Sequence, residues 1–335
     1  MQTTVNKTKT RTISLLCKCL LAALPLIVFI ALLVGYPMRI FDKEYPMWQW
    51  QKDTLTNESV SADVLFLGDS LMQSGVMPTL WGDDALSLAL GGASPVEMCY
   101  SLKTYLEYHD APSLVVMGFG QNHYMVMSSF WERNAYFHYM PLTEQAKIIK
   151  LAAELNDLSL LETDSPYADL LAYACYSPEK YLPAYIGMLQ ERGRLKLNLE
   201  WYDYTNEMRG YHLNGTQESN GEATDSVMYE EFIVSPLLDE QIREILSLCV
   251  ENGIQVVIER PPLNLASQQA MHETFAEQYV DYLNLLAADY PGIIVNTVIE
   301  TYPDDCFGDH EHLNARGAER YTQSLVERYA NLIGG

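Results

Sequence analysis

The chain has 335 residues, 48% of them hydrophobic, with 19 Gly and 15 Pro, which suits one large globular domain or two small ones. A formal net charge of −23 argues against nucleic-acid binding and against charge-driven docking on anionic lipid. That charge is uneven: residues 1–36 hold four of the 21 basic residues (Lys7, Lys9, Arg11, Lys18) and none of the 44 acidic ones, so the remainder carries −27.

Cys19 to Tyr36 is an uncharged, mostly apolar run of 18 residues, just long enough to cross a bilayer as a helix. All its flanking basic residues precede it, so the positive-inside rule puts residues 1–18 in the cytoplasm and everything after Tyr36 outside. A cleaved signal peptide is the rival reading. It is disfavoured because Val34-Gly35-Tyr36-Pro37 makes a poor cleavage site, and an uncleaved signal anchor is expected. Residues 37–61, with Trp48 and Trp50, read as a juxtamembrane tether with aromatics near the membrane interface. Cysteines stand at 17, 19, 99, 175, 249 and 306 with no C-x-x-C pair, so zinc and redox motifs have no support.

Asp63 to Leu67 is an apolar run ending in Gly68-Asp69-Ser70, which reads as a buried parallel strand handing over to a helix. Val76 to Gly82 follows as a short irregular helix or loop. Ala85 to Leu90 forms a second strand, turned by Gly91-Gly92-Ala93 into a helix that runs to about His109. Ser94 is its N-cap, with Pro95 at N1 and Glu97 at N3. Ser113 to Gly118 is a third strand, leading into Gly120-Gln121-Asn122-His123. From about 130 to 235 the α/β rhythm stops in a Tyr-rich insertion, with helices expected at 143–155, 165–175 and 178–192. Asn214 to Asp225 reads as a polar, mobile loop. The rhythm resumes with a helix near 237–251, a strand Ile254 to Glu259, a long helix at about 265–289, a short strand Ile293 to Asn296, and a final helix from Ala315 to about Leu332. Five strands separated by helices imply a parallel sheet covered on both faces.

Two stretches carry chemistry. Ser70 falls at the carboxyl edge of the sheet, where open α/β folds bind ligands, although an Asp and a Ser capping a helix is the plain alternative. Near the other end stands Asp309-His310-Glu311-His312-Leu313-Asn314. Asp and His three apart on a tight turn can put the carboxylate on one imidazole nitrogen, leaving the other to take a proton from a serine. A metal-binding acidic-His cluster and a solvated loop are the other readings, but no second histidine cluster completes a coordination shell. For a tetrahedral oxyanion, the N–H groups of Ser70 and Gly92 and the side-chain amide of Asn122 are the candidate donors.

These residues, Gly68-Asp69-Ser70, the Gly91-Gly92 turn, Gly120-x-Asn122 and Asp309-x-x-His312, resemble in order the four blocks of the SGNH (GDSL-type) hydrolase superfamily. The third block departs from the pattern, because His123 stands where that family has Asp. The resemblance covers residues 62–335 apart from the insertion. It implies a flavodoxin-like three-layer sandwich and a Ser70–His312–Asp309 mechanism through an acyl-enzyme, without metal or cofactor. Water resolves the acyl-enzyme in a hydrolase and a sugar hydroxyl in a transferase, and both stay open.

The layout of one anchor and an outward domain is similar to DltD-type D-alanyl-lipoteichoic acid biosynthesis proteins and to SGNH proteins of polysaccharide O-acetylation. That likeness implies an acylated envelope carbohydrate as substrate and a multi-spanning membrane acyltransferase as partner. The alternative is a catalytically idle module that assists such an acyltransferase. His123, Tyr124, Trp131 and Arg260 are further candidates for substrate contact. Arg260 would meet an anionic group unless it is held in a salt bridge.

Overall fold

Val64–Gly68, Leu114–Gly118 and Gln255–Glu259 are runs of β-branched and aliphatic residues, buried almost throughout, as strands covered on both faces must be. In the computed structural model they are β1, β3 and β4 of a five-stranded parallel sheet. The model describes residues 38–333 apart from 128, 162–164 and 191–192, and ahead of them only 14–15, 18–19 and 21–28. Ala85–Ser87 is β2 and Ile294–Val295 is β6, and the spatial order is β2-β1-β3-β4-β6. Among the strands of this sheet that is the order 2-1-3-4-5, consistent with a flavodoxin-like doubly wound sandwich. Leu263–Asn264 (β5) and Thr301–Tyr302 (β7) make a separate two-stranded parallel ladder that no sequence signal announces. Gly68, Gly118 and Glu259 sit in register, so the carboxyl ends of β1, β3 and β4 lie flush.

Alternation along the strands splits the core in two. Leu65, Leu67, Val115, Met117, Val256 and Ile258 face the larger half, whereas Val64, Phe66, Leu114, Val116 and Val257 face the smaller. In chain order the helices are α1 (Tyr45–Leu55), α2 (Ser70–Gly75), α3 (Pro78–Trp81), α4 (Pro95–Tyr108), α5 (Leu142–Glu154), α6 (Pro166–Cys175), α7 (Pro178–Gln190), α8 (Arg194–Glu207), α9 (Pro236–Glu251), α10 (Leu265–Ala270), α11 (Glu273–Asp289) and α12 (Ala315–Tyr329). α1, α4, α5, α9 and α11 contribute to the larger half, and α2 and α12 to the smaller. The Ser94–Glu97 capping box opens α4. The helix expected over 265–289 is broken at Met271–His272, where the backbone turns extended.

Residues 37–61 are not a tether. Pro46 sits in the first turn of α1, and Met47, Trp48, Trp50 and Leu55 are buried in the larger core, with Trp50 Nε1 donating to Asn206 Oδ1 of α8 at 3.1 Å. Burying two indoles outweighs any pull towards a membrane interface. The 214–225 stretch is not a free loop either. The N–H groups of Gln217 and Asn220 donate to the carbonyls of Gly308 and Asp304 at 2.9 and 3.0 Å. Gly215 lies so close to Gly308 that a Cβ on either would come within 3 Å of the other's backbone. Half of the apolar run 19–36 lies outside the described residues; residues 21–28 are helical with exposed leucines, and no described helix is long and apolar enough to cross a membrane. Cys19, Cys99, Cys175, Cys249 and Cys306 are all free.

Candidate active site

β1 ends at Gly68, and Asp69 caps α2 by accepting the N–H of Leu71 at 2.9 Å. That cap fixes Ser70 as the first residue of the helix, half-buried on the wall of a cleft of about 270 Å³. One turn on, Gln73 Oε1 accepts the N–H of Gly91 at 3.1 Å, which ties the Gly-Gly turn beside the serine. Gly92 takes φ +76, a conformation that costs glycine little, and the guanidinium of Arg133 lies against it where a side chain would otherwise stand. The N–H groups of Ser70 and Gly92 make no hydrogen bond among the described residues.

His312 borders the same cleft. Its Nδ1 lies 2.8 Å from Asp309 Oδ2, and Asp309 Oδ1 accepts the N–H groups of Glu311 and His312 at 2.9 and 2.7 Å. Burial alone would raise the Asp309 pKa, but the hydrogen bond and charge of His312 and those two N–H groups hold it down to about 2. Burial pulls His312 the other way from its partners, and Asp309 and Glu311 win, so its pKa is raised above 6.5. An ionised Asp309 fixes the proton on Nδ1 and leaves Nε2 as the base. Nε2 is buried and makes no hydrogen bond, to Ser70 Oγ or any other atom among the described residues; Glu311 Oε1 stands 3.8 Å away.

A second Asp–His pair flanks the serine. Asp69 Oδ2 accepts the N–H of Gly120 at 2.7 Å and lies 3.0 Å from His123 Nδ1, which also faces the Ala93 carbonyl. Burial raises Asp69, but the charge and hydrogen bond of His123 outweigh it and the pKa is lowered. His123 is lowered by burial and raised more strongly by Asp69. Each group thus favours the charged form of the other, and the His123 ring stands on the cleft wall.

Ser70, Gly92, His123 and His312 thus border one cleft, and Asp309 stands behind the last of them. Asn122 does not line it; the residue after it does. Tyr124 is no substrate contact, being fully buried against Phe119, Tyr279 and Tyr282. Trp131 packs on Phe130 and Tyr173 in the insertion. Arg260 neither meets the cleft nor finds a carboxylate. It is buried, donates to the Thr297 carbonyl at 2.5 Å and stacks over Tyr279.

Several residues of the cleft carry no local sequence signal. Glu44 binds Arg133 in a bidentate pair at 2.8 and 3.1 Å and also takes Lys180, across separations of 89 and 136 residues. Burial would raise Glu44, but the two cations hold it at about 2. Asn214 donates towards the Ser70 carbonyl and Gln73 Oε1 at 3.4 Å. Glu44, Met47 and Asn214 also line an adjoining chamber of about 530 Å³ walled by Trp201, Tyr204 and His212. There the Nδ1 of the buried His212 has no partner, and burial lowers the His212 pKa to about 4. Gln73 was within reach of sequence reasoning, one turn from Ser70; the others needed the folded chain.

No group of three or more His, Cys, Asp or Glu is placed to hold a metal ion among the described residues. Comparison of the chain with models of known protein families finds no match, and no curated protein matches it in sequence.

Proposed function

We propose that the chain is a serine esterase or O-acyltransferase of the SGNH kind, acting on acyl esters of envelope carbohydrate and anchored outside the membrane by residues 19–36. The observation that carries this reading is that Ser70 borders the same cleft as His312, whose Nδ1 is held by an ionised Asp309 and whose Nε2 is bare. Ser70 Oγ attacks the ester carbonyl as Nε2 takes its proton, and Asp309 steadies the imidazolium. The N–H groups of Ser70 and Gly92 receive the oxyanion, and the His123 imidazolium adds positive potential to the same wall. His312 returns the proton to the leaving alcohol, and water or a sugar hydroxyl then releases the acyl group. The adjoining Trp201–Tyr204 chamber supports a carbohydrate substrate, because sugar faces stack on aromatic rings while polar groups such as Asn214 meet hydroxyls.

A fluorophosphonate probe on the detergent-solubilised full chain tests the class. Labelling that disappears in Ser70→Ala supports the enzyme; absent labelling, or labelling that survives the substitution, leaves the idle-module reading in its place. Acetyl-ester turnover with and without a glycan acceptor then separates hydrolase from transferase.

A further inference from the structure

α7 turns its apolar face the wrong way for a soluble domain. Leu182, Tyr185, Ile186 and Leu189 recur at i, i+3, i+4 and i+7 and are 56%, 39%, 41% and 59% exposed. The inward side carries Ala184, which is 3% exposed, and Lys180, which reaches Glu44. On the neighbouring helix α8, Leu195 and Leu199 are exposed as well. A row of four exposed apolar side chains on one helix face is more than the scattered single leucines of an ordinary exterior.

Two observations say what covers it. The first is where the chain comes from. α7 packs on the turn Met38–Phe41, and Asn198 of α8 donates to the Ile40 and Asp42 carbonyls at 2.8 and 2.9 Å. Tyr36, the last residue of the apolar run, precedes Met38 by two residues, so the two are at most ~7 Å apart. A helix packed on that turn lies within ~17 Å of the point where the run ends, ~7 Å of chain plus about one helix diameter. The second is charge. Beyond residue 36 the chain carries −27, yet residues 191–200 hold Arg192, Arg194 and Lys196 against Glu191 and Glu200. Lys196 pairs with Glu200 in an exposed i,i+4 contact.

We propose that the outer face of α7 and the start of α8 form a bilayer-docking surface, with the four apolar side chains of α7 seated at the acyl boundary and Arg194 and Lys196 at the headgroups. The inference rests on the anchor reading of residues 19–36 and goes beyond it. Docking would fix how the domain stands on the membrane, so that the cleft has a set height and direction instead of swinging on a tether.

The test uses the full chain in vesicles, with the exposed cysteines replaced (C17S, C19S, C175S) and an environment-sensitive dye on I186C, on L26C within the apolar run, or on Q323C of α12. L189C serves as a second reporter should I186C fail to fold. Lipid carrying a shallow spin label should cut the emission at 186 and 26 to about half or less and leave 323 unchanged. Quenching at 26 without quenching at 186 overturns the docking surface while sparing the anchor. Absent quenching at both overturns the anchor and the docking together. A dye at 186 that is shielded from aqueous iodide yet out of reach of the lipid label means another protein covers the face, and that also overturns the proposal.

Discussion

Two Asp–His pairs stand either side of Ser70, and they are built for different work. Asp69 is fully enclosed, and its two oxygens make three contacts on two separate pieces of chain: the first turn of α2, and the turn after β3 through the Gly120 N–H and His123. Asp309 remains partly exposed and holds only its own loop and the His312 ring, whose far nitrogen is left open. One pair clamps the architecture; the other leaves an imidazole nitrogen without a partner among the described residues. A carboxylate beside an imidazole is therefore not a relay by itself. On the esterase reading, what distinguishes the relay is the unengaged nitrogen and an acid that ties only its own loop.

The largest expected break of this contrast is Asp309→Asn. On the esterase reading it lowers kcat by about 10⁴-fold by losing the tautomer control while the far-UV spectrum stays native. The same substitution moves the acid limb of kcat/KM: neutral His312 is the active form and its pKa is raised above 6.5 by Asp309 and Glu311, so removing the carboxylate's charge shifts the limb to lower pH. An unmoved limb would mean that another group titrates.

Asp69→Ala should instead show up as stability, costing about 3–5 kcal/mol in chemical denaturation because the Leu71 cap, the Gly120 N–H and His123 all lose their acceptor. A cost below about 1 kcal/mol would place the pair with weak surface bridges.

His123→Gln sharpens the point through pH. The folded His123 pKa is raised, so its contribution is complete below 6.5 and lost as pH rises through the folded value. Asp69 is depressed, so its contribution is present above 3.8 and lost as pH falls through its folded value. The denaturation midpoint of the variant should thus lie furthest below that of the parent chain between those two pH values and converge with it in alkali. A constant gap would dismiss the ion pair.

The smallest effect is expected at Trp201→Ala, with KM for a glycan ester up roughly five- to tenfold, as loss of one aromatic contact implies, and turnover of a small aryl ester unchanged. Equal losses on both substrates would remove the chamber from the binding path.

How much of this was legible in the chain follows from where each signal resides. β1, β3 and β4 announce themselves because a doubly covered strand is a short apolar run ended by Gly or Glu. The Asp309–His312 contact is local, three residues apart, and so readable. α1 misleads because two tryptophans after an apolar run look interfacial until the core that accepts them is known. Asn122 and His123 are adjacent, and which of them faces the cleft depends on the short 3₁₀ turn Gln121–Tyr124. The Glu44–Arg133–Lys180 cluster joins three distant segments and leaves no periodic trace.

The seam between Gly215 and Gly308 has one more consequence. Two stretches of backbone press together there with no room for even a methyl group, one belonging to the edge of the aromatic chamber and the other to the turn that carries His312. The imidazole therefore inherits its placement from chain nearly a hundred residues upstream. A lengthening or shortening between 210 and 225 would unseat the proton acceptor while leaving every strand of the sheet where it is.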